Sequence, residues 1–153
     1  MAIRFRKTRR GPRRLTATME TQRRLIHTTC IPIRWGDMDA LRHVNNTVYF
    51  RYMEQARVEW FEDLGYAVNP AQETLVIINA SCTFLRPLSY PGTVEVRMYA
   101  GHLGRSSFPT YYELRLQGDE RIYAEGAAKV VWMNPATGRS IPLPEKLRQI
   151  VSP

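Results

Sequence analysis

From Asn45 to Leu64 the apolar residues Tyr49, Tyr52, Met53, Ala56, Trp60, Phe61 and Leu64 recur at three- and four-residue spacing, while Arg51, Glu54, Arg57, Glu59, Glu62 and Asp63 take the other faces. That period is an amphipathic α-helix of about five turns. Asn45 and Asn46 stand where a short amide oxygen accepts a free N–H of the first turn, and Gly65 supplies a left-handed stop. The stripe carries several aromatics, more than a surface helix needs, so the pattern calls for a sheet wrapped round it.

The period changes to two elsewhere. Leu25 to Trp35 is rich in β-branched residues and predicts a first strand, which Pro32 confines to an edge or a strand end because proline cannot donate to a ladder. Thr74 to Leu85 is a nearly continuous apolar run, the pattern of a strand covered on both faces. Thr93 to Ala100 and Thr110 to Gln117 alternate, joined by a hairpin through Gly101 and Gly104, and Arg121 to Met133 is a last long strand. Within it Gly126, Ala127 and Ala128 leave room for a bulky neighbour to pack closely. Pro144 to Val151 predicts a short terminal helix. Strand, long helix, then four strands joined by short turns is an α+β fold: an antiparallel sheet of about five strands curled round one helix.

Charge divides the chain differently. It has 153 residues and a formal net charge of +8, but of its 22 basic and 14 acidic residues nine and one fall in residues 1–24, leaving 13 of each in the rest. The body, residues 25–153, is therefore neutral and reads as one domain. Residues 1–24 read as a flexible Arg-rich tail, too poor in apolar groups to order itself. It serves as an appendage, with Met19 a possible start of translation, as an arm for nucleic acid or another anionic surface, or as an organellar targeting segment. The first of these is the expectation, so nucleic acid is not the expected partner. No apolar run of about 18 residues is present, which calls for a soluble protein in the cytoplasm rather than a membrane protein. Cys30 and Cys82 are isolated and predict two buried thiols rather than a disulfide or a metal site.

The densest chemistry precedes the helix. Residues 36–57, GDMDALRHVNNTVYFRYMEQAR, resemble the signature of hot-dog-fold acyl-CoA thioesterases of the 4-hydroxybenzoyl-CoA thioesterase class, in the branch written D-x-x-x-H-V-N-N-x-x-Y followed by E-x-A-R. The element order resembles that family from Leu25 onward. The resemblance implies a hot-dog fold and a catalytic carboxylate at Asp39, acting as nucleophile or as base on water. It also implies an oxyanion hole at the backbone N–H of Asn46, and active sites between the subunits of a homodimer or homotetramer. Elementary electrostatics agrees, because unpaired N–H groups at a helix N-terminus, with its positive dipole end, are donors aimed at the charge that develops on an attacked thioester carbonyl.

His43 is placed to orient water or to bond the thioester carbonyl; its bland alternative is a histidine bonded into the loop. Asp37 reads as structural, bonding turn amides. Arg86, Arg105 and Ser107, near turns, and Tyr49 on the helix are candidates to meet the substrate or coenzyme A, the alternatives being surface residues and core. No metal is called for, because His27 and His102 lie in other elements, and no cofactor either, coenzyme A arriving as part of the substrate. Serine-hydrolase elbows and glycine-rich phosphate loops are absent. The expected activity is hydrolysis of an acyl-CoA to a carboxylic acid and free coenzyme A. The alternatives are hydration or dehydration of an acyl thioester on the same fold, and a non-catalytic module binding acyl-CoA or nucleic acid.

Overall fold

The computed structural model describes residues 23–66, 69 and 71–152, so residues 1–22 of the Arg-rich tail lie outside the described residues. The chain runs β1 (Arg24–Pro32), a 3-10 turn (Trp35–Asp37), α1 (Asn46–Asp63), β2 (Thr74–Phe84), β3 (Thr93–Ala100), β4 (Ser107–Leu116), β5 (Ile122–Asn134), β6 (Arg139–Ser140) and α2 (Glu145–Val151). All strand pairings are antiparallel, in the order β1-β3-β4-β5-β2, with the two-residue β6 added beside β5. This is the anticipated sheet round one helix, with a sixth short strand.

Six of the seven residues in the helical stripe, Tyr49, Tyr52, Met53, Ala56, Trp60 and Phe61, are buried, and Leu64 is half-buried. Every second residue of β3 and β4 meets them from the sheet: Val94, Val96, Met98, Phe108, Tyr112 and Leu114. Gly126 shows how closely the layers approach, since a Cβ there would lie 2.1 Å from Met53 Sδ. The helix ends where expected. Gly65 has φ +82°, its amide bonds Glu62 O and that of Tyr66 bonds Phe61 O, and the rings of Phe61 and Tyr66 stack at 4.8 Å across the stop. β1 is an edge strand with Pro32 as its last residue, which satisfies both alternatives for that proline. β4 begins at Ser107, earlier than the pattern indicates. Pro109 is tolerated because its missing N–H falls where β3 has already ended: its carbonyl accepts from Gly101.

Two expectations fail. β2 is not covered on both faces; it forms the other edge of the sheet, and Ile77, Ile78, Phe84 and Leu85 are exposed, Ile78 at 58%. A continuous apolar run marks a strand that needs cover, and nothing in the pattern says that the cover lies within the same chain. Nor are the thiols both buried. Cys30 is exposed on edge strand β1 and Cys82 is half-buried, and both are free.

Candidate active site

Residues 38–44 form a small closed loop ahead of α1. Met38 bridges Val44, the amide of Asp39 bonds His43 O at 3.0 Å, and that of Arg42 bonds Asp39 O at 2.9 Å. Closing so tight a loop puts Arg42 at φ +59°, a left-handed conformation that costs a residue with a side chain. The segment after β2 holds the loop in place: Val44 N–H donates to Leu88 O at 2.8 Å, and Ser89 Oγ donates to Arg42 O at 3.1 Å. Tyr49 ties the helix to the same segment, its hydroxyl accepting from Leu88 N–H at 3.2 Å. Burial pushes the Tyr49 phenol up in pKa, against the opposing effect of the Leu88 bond, so it stays neutral.

Asp39 is half-buried, and both carboxylate oxygens are held. Oδ1 accepts from the Leu41 amide at 2.9 Å and Oδ2 from the Asn45 side-chain amide at 3.2 Å. Asn45 is also the cap of α1, its oxygen accepting from Thr47 N–H at 3.0 Å. One asparagine thus fixes the carboxylate at the helix N-terminus. The next residue is Asn46, whose amide has no acceptor among the described residues. Asn46 also lines a cleft of about 190 Å³, together with His43, Val44, Tyr49, Phe84, Leu85, Arg86 and Pro87. Asp39 sits beside Asn45 rather than in the lining of this cleft. The arrangement offers a fixed carboxylate, an unpaired N–H at the positive end of an 18-residue helix, and a cleft lined by the residue that carries that N–H.

Comparison with known proteins decides the lineage. The family model described as Thioesterase-like superfamily matches residues 33–151. The chain belongs to this superfamily. Among solved structures, the PA2801 protein of Pseudomonas aeruginosa, a candidate thioesterase, is 45% identical, with 84% of this chain and 100% of that one covered and a TM-score of 0.82. A thioesterase of Thermus thermophilus, complexed with coenzyme A and Zn, is 29% identical, over 83% of this chain and 92% of that one, TM-score 0.70. A candidate esterase of Aquifex aeolicus (strain VF5) is 30% identical over 83 residues, 52% of this chain; the match spans 65% of that relative's length, just under two thirds. The fold is the hot-dog fold of these thioesterases.

Within this superfamily fold the anticipated residues separate into two groups. His43, Asn46, Tyr49 and Arg86 line one cleft. His43 is exposed at the end of the closed loop, whereas Tyr49 is buried floor, its ring meeting Phe84 edge-on at 4.9 Å. Arg86 is exposed and donates to Ile122 O at 2.6 Å. Arg105 and Ser107 are not brought to the cleft. The site loop packs where β3 begins, through Ile33 N–H on Gly92 O, while Arg105 and Ser107 lie past the end of β3, seven residues or about 24 Å farther along the strand. There Arg105 O accepts from Leu143 and Arg148. Asp37 bonds turn groups, accepting from Arg34 N–H at 2.9 Å and from Tyr52 OH at 2.8 Å. Burial and that carboxylate together push the Tyr52 phenol well above the usual range. The residue the sequence undervalues is Asn45. Its spacing reveals a cap but not the second bond, to Asp39. Among the described residues no three His, Cys, Asp or Glu side chains cluster as metal ligands, and no helix is long and apolar enough to cross a membrane.

Proposed function

We propose that the protein is a cytoplasmic acyl-CoA thioesterase, hydrolysing a thioester to a carboxylic acid and free coenzyme A without a separate cofactor. The observation that carries this reading is the pairing of a fixed carboxylate with an open N–H across the start of α1: Asp39 tied to Asn45, and Asn46 free beside it. With the thioester carbonyl oxygen against the Asn46 amide, the oxyanion formed on attack faces a donor and the helix dipole together. Asp39 delivers the attack, as nucleophile or by taking a proton from water, and His43 at the cleft wall orients that water or the carbonyl. Exposed Arg86, which lines the same cleft, suits the phosphates of coenzyme A. The Thermus thermophilus thioesterase complexed with coenzyme A supports that choice of carrier.

The working unit in this reading is a homodimer, or a homotetramer built from dimers, with sites at the subunit interface. Its support is edge strand β2, which presents unpaired backbone groups together with exposed Phe84 and Leu85 in the cleft and exposed Ile77 and Ile78 farther along the strand, a surface that calls for another strand or chain.

Incubation with short, long and aromatic acyl-CoAs in the presence of a thiol-detecting reagent tests the reading. Release of free coenzyme A is expected from at least one of them. Hydration of an enoyl-CoA with no thiol released contradicts it.

A further inference from the structure

About three turns beyond the start of α1, on the flank that faces β2, the helix carries a cation with no carboxylate partner among the described residues. Arg57 is half-buried and lines a second cavity of about 190 Å³, whose apolar walls include Trp60, Phe61, Leu75, Ile77, Met98 and Val130. Its hydrogen-bond partner is a phenol: one guanidinium N–H donates to Tyr112 OH at 3.2 Å. Among the described residues no carboxylate lies within ion-pair distance of it. Glu54, which lines the same cavity, is engaged by Arg51 at 3.0 Å.

Tyr112 cannot neutralise the charge. Burial pushes its pKa up, against the opposing effect of Arg57, so the phenol keeps its proton. It passes the polar contact on to Thr110 Oγ at 2.9 Å, which reaches Ala128 O at 3.3 Å. Thr110 is a fully buried polar residue on an otherwise apolar inner face. The chain of bonds holds Arg57 in place yet leaves most of its five N–H donors for something else. A guanidinium held against apolar walls is costly unless it is paired, and its planar fork fits a carboxylate through two parallel bonds.

The cavity and the active-site cleft are both bordered by α1 and by residues of β2. Cys82 pairs with Gly126 and Ala80 with Ala128, so both point to the helix-facing side of the sheet, yet Ala80 is exposed and Cys82 only half-buried because α1 leaves this stretch of β2 uncovered. Phe84 marks one end of this uncovered strip, in the cleft, and Ile77 the other, in the cavity. Arg57 follows Asn46 by eleven residues, about 16 Å along the helix axis, and helical side chains lean back toward the N-terminus, which shortens the span.

We propose that Arg57 is a specificity-determining residue that binds a carboxylate at the far end of the acyl chain, so that the substrate class is dicarboxylyl-CoA thioesters of medium length. This rests on the acyl-CoA thioesterase reading above and adds the chemistry of the acyl group to it.

The test compares suberoyl-CoA with octanoyl-CoA, which differ only in the terminal group. Their dissociation constants are measured by calorimetry on the full chain carrying Asp39→Asn, so that turnover does not enter. Suberoyl-CoA is expected to bind roughly tenfold to a hundredfold more tightly, the range of a charge-assisted hydrogen bond. Adding Arg57→Gln removes that ratio, and Arg57→Lys, which keeps the charge but loses the fork, retains part of it; circular dichroism of each variant checks that it is folded. Equal affinities without an Arg57 change overturn the proposal, as does a ratio that survives Arg57→Gln. Equal affinities together with loss of the oligomer in Arg57→Gln also overturn it, and assign the cation to a partner subunit's acid. The parent reading fails by a separate result, no coenzyme A released from any acyl-CoA, which leaves the affinity ratio readable.

Discussion

Asp39 Oδ2 accepts the side-chain amide of Asn45 at 3.2 Å, while the oxygen of that same amide caps α1 through Thr47 N–H. The carboxylate proposed to attack and the helix start proposed to hold the oxyanion are therefore positioned by one side chain. A shift of either moves the other.

That coupling separates two substitutions. Asn45→Ala removes the cap and the Asp39 bond together, and is expected to cost about 1 kcal/mol in stability along with most of the activity. Asn45→Asp keeps an acceptor for Thr47, so its melting temperature stays near the parent's. It also sets a second carboxylate against Asp39, and two carboxylates sharing a site ionise less readily. The acid limb of its pH–rate profile therefore moves to higher pH. A profile that coincides with the parent's, with activity intact, means that the Asp39–Asn45 contact does not serve the reaction.

Gly126 is fixed by the helix above it. Gly126→Ala places a Cβ 2.1 Å from Met53 Sδ and 3.4 Å from Tyr112 Cβ, so the thioether must move within a packed core. The expected loss is about 1–3 kcal/mol in urea titration, the usual cost of overpacking. Met53→Ala opens a cavity on its own, but in combination with Gly126→Ala the two losses should sum to more than the double variant shows. Strict additivity places the strain elsewhere.

Tyr52 carries the alkaline behaviour. Its phenol is buried and donates to Asp37 at 2.8 Å, and folding raises its pKa, as burial does for Tyr49 and Tyr112. A group raised in this way contributes stability that is complete below its unfolded value of about 10 and is lost as the pH climbs through the folded value. The urea midpoint should accordingly be flat in tyrosine ionisation below pH of about 10 and fall above it. Tyr52→Phe removes the donor to a half-buried carboxylate, costing roughly 2 kcal/mol at neutral pH, and makes the alkaline decline shallower. An unchanged alkaline slope in Tyr52→Phe assigns the decline to other groups.

The sequence revealed the frame of this molecule because its signals are local. The Tyr49-to-Leu64 stripe, the Asn45 cap and the Gly65 stop each depend on neighbours within a few residues, and each is found where the spacing puts it. The loop from Asp37 to Asn46 was legible as a loop ahead of a helix N-terminus for the same reason, and its chemistry is the proposal made above. What stayed hidden depends on distant partners. An apolar run such as Thr74 to Phe84 reads the same whether its cover is another layer of the chain or another molecule, and Cys30 reads as buried until β1 proves to be an edge. Arg105 and Ser107 resemble Arg86 as residues near turns. Only the strand pairing shows that their turn lies at the other end of the sheet. Arg57 stood in the motif as one charged position of a helix, and its lack of a carboxylate partner among the described residues emerges only with the cavity around it.

The central claim is that Asp39 performs the attack in front of the Asn46 amide. Its most direct test is the steady-state rate of coenzyme A release by Asp39→Asn, an isosteric change that preserves an acceptor for Leu41, measured on whichever acyl-CoA the parent hydrolyses fastest. The predicted result is a fall in kcat of about a hundredfold or more, as expected when a general base or nucleophile is removed, with the melting temperature near the parent's. Hydrolysis at the parent rate by a folded Asp39→Asn protein would contradict the assignment.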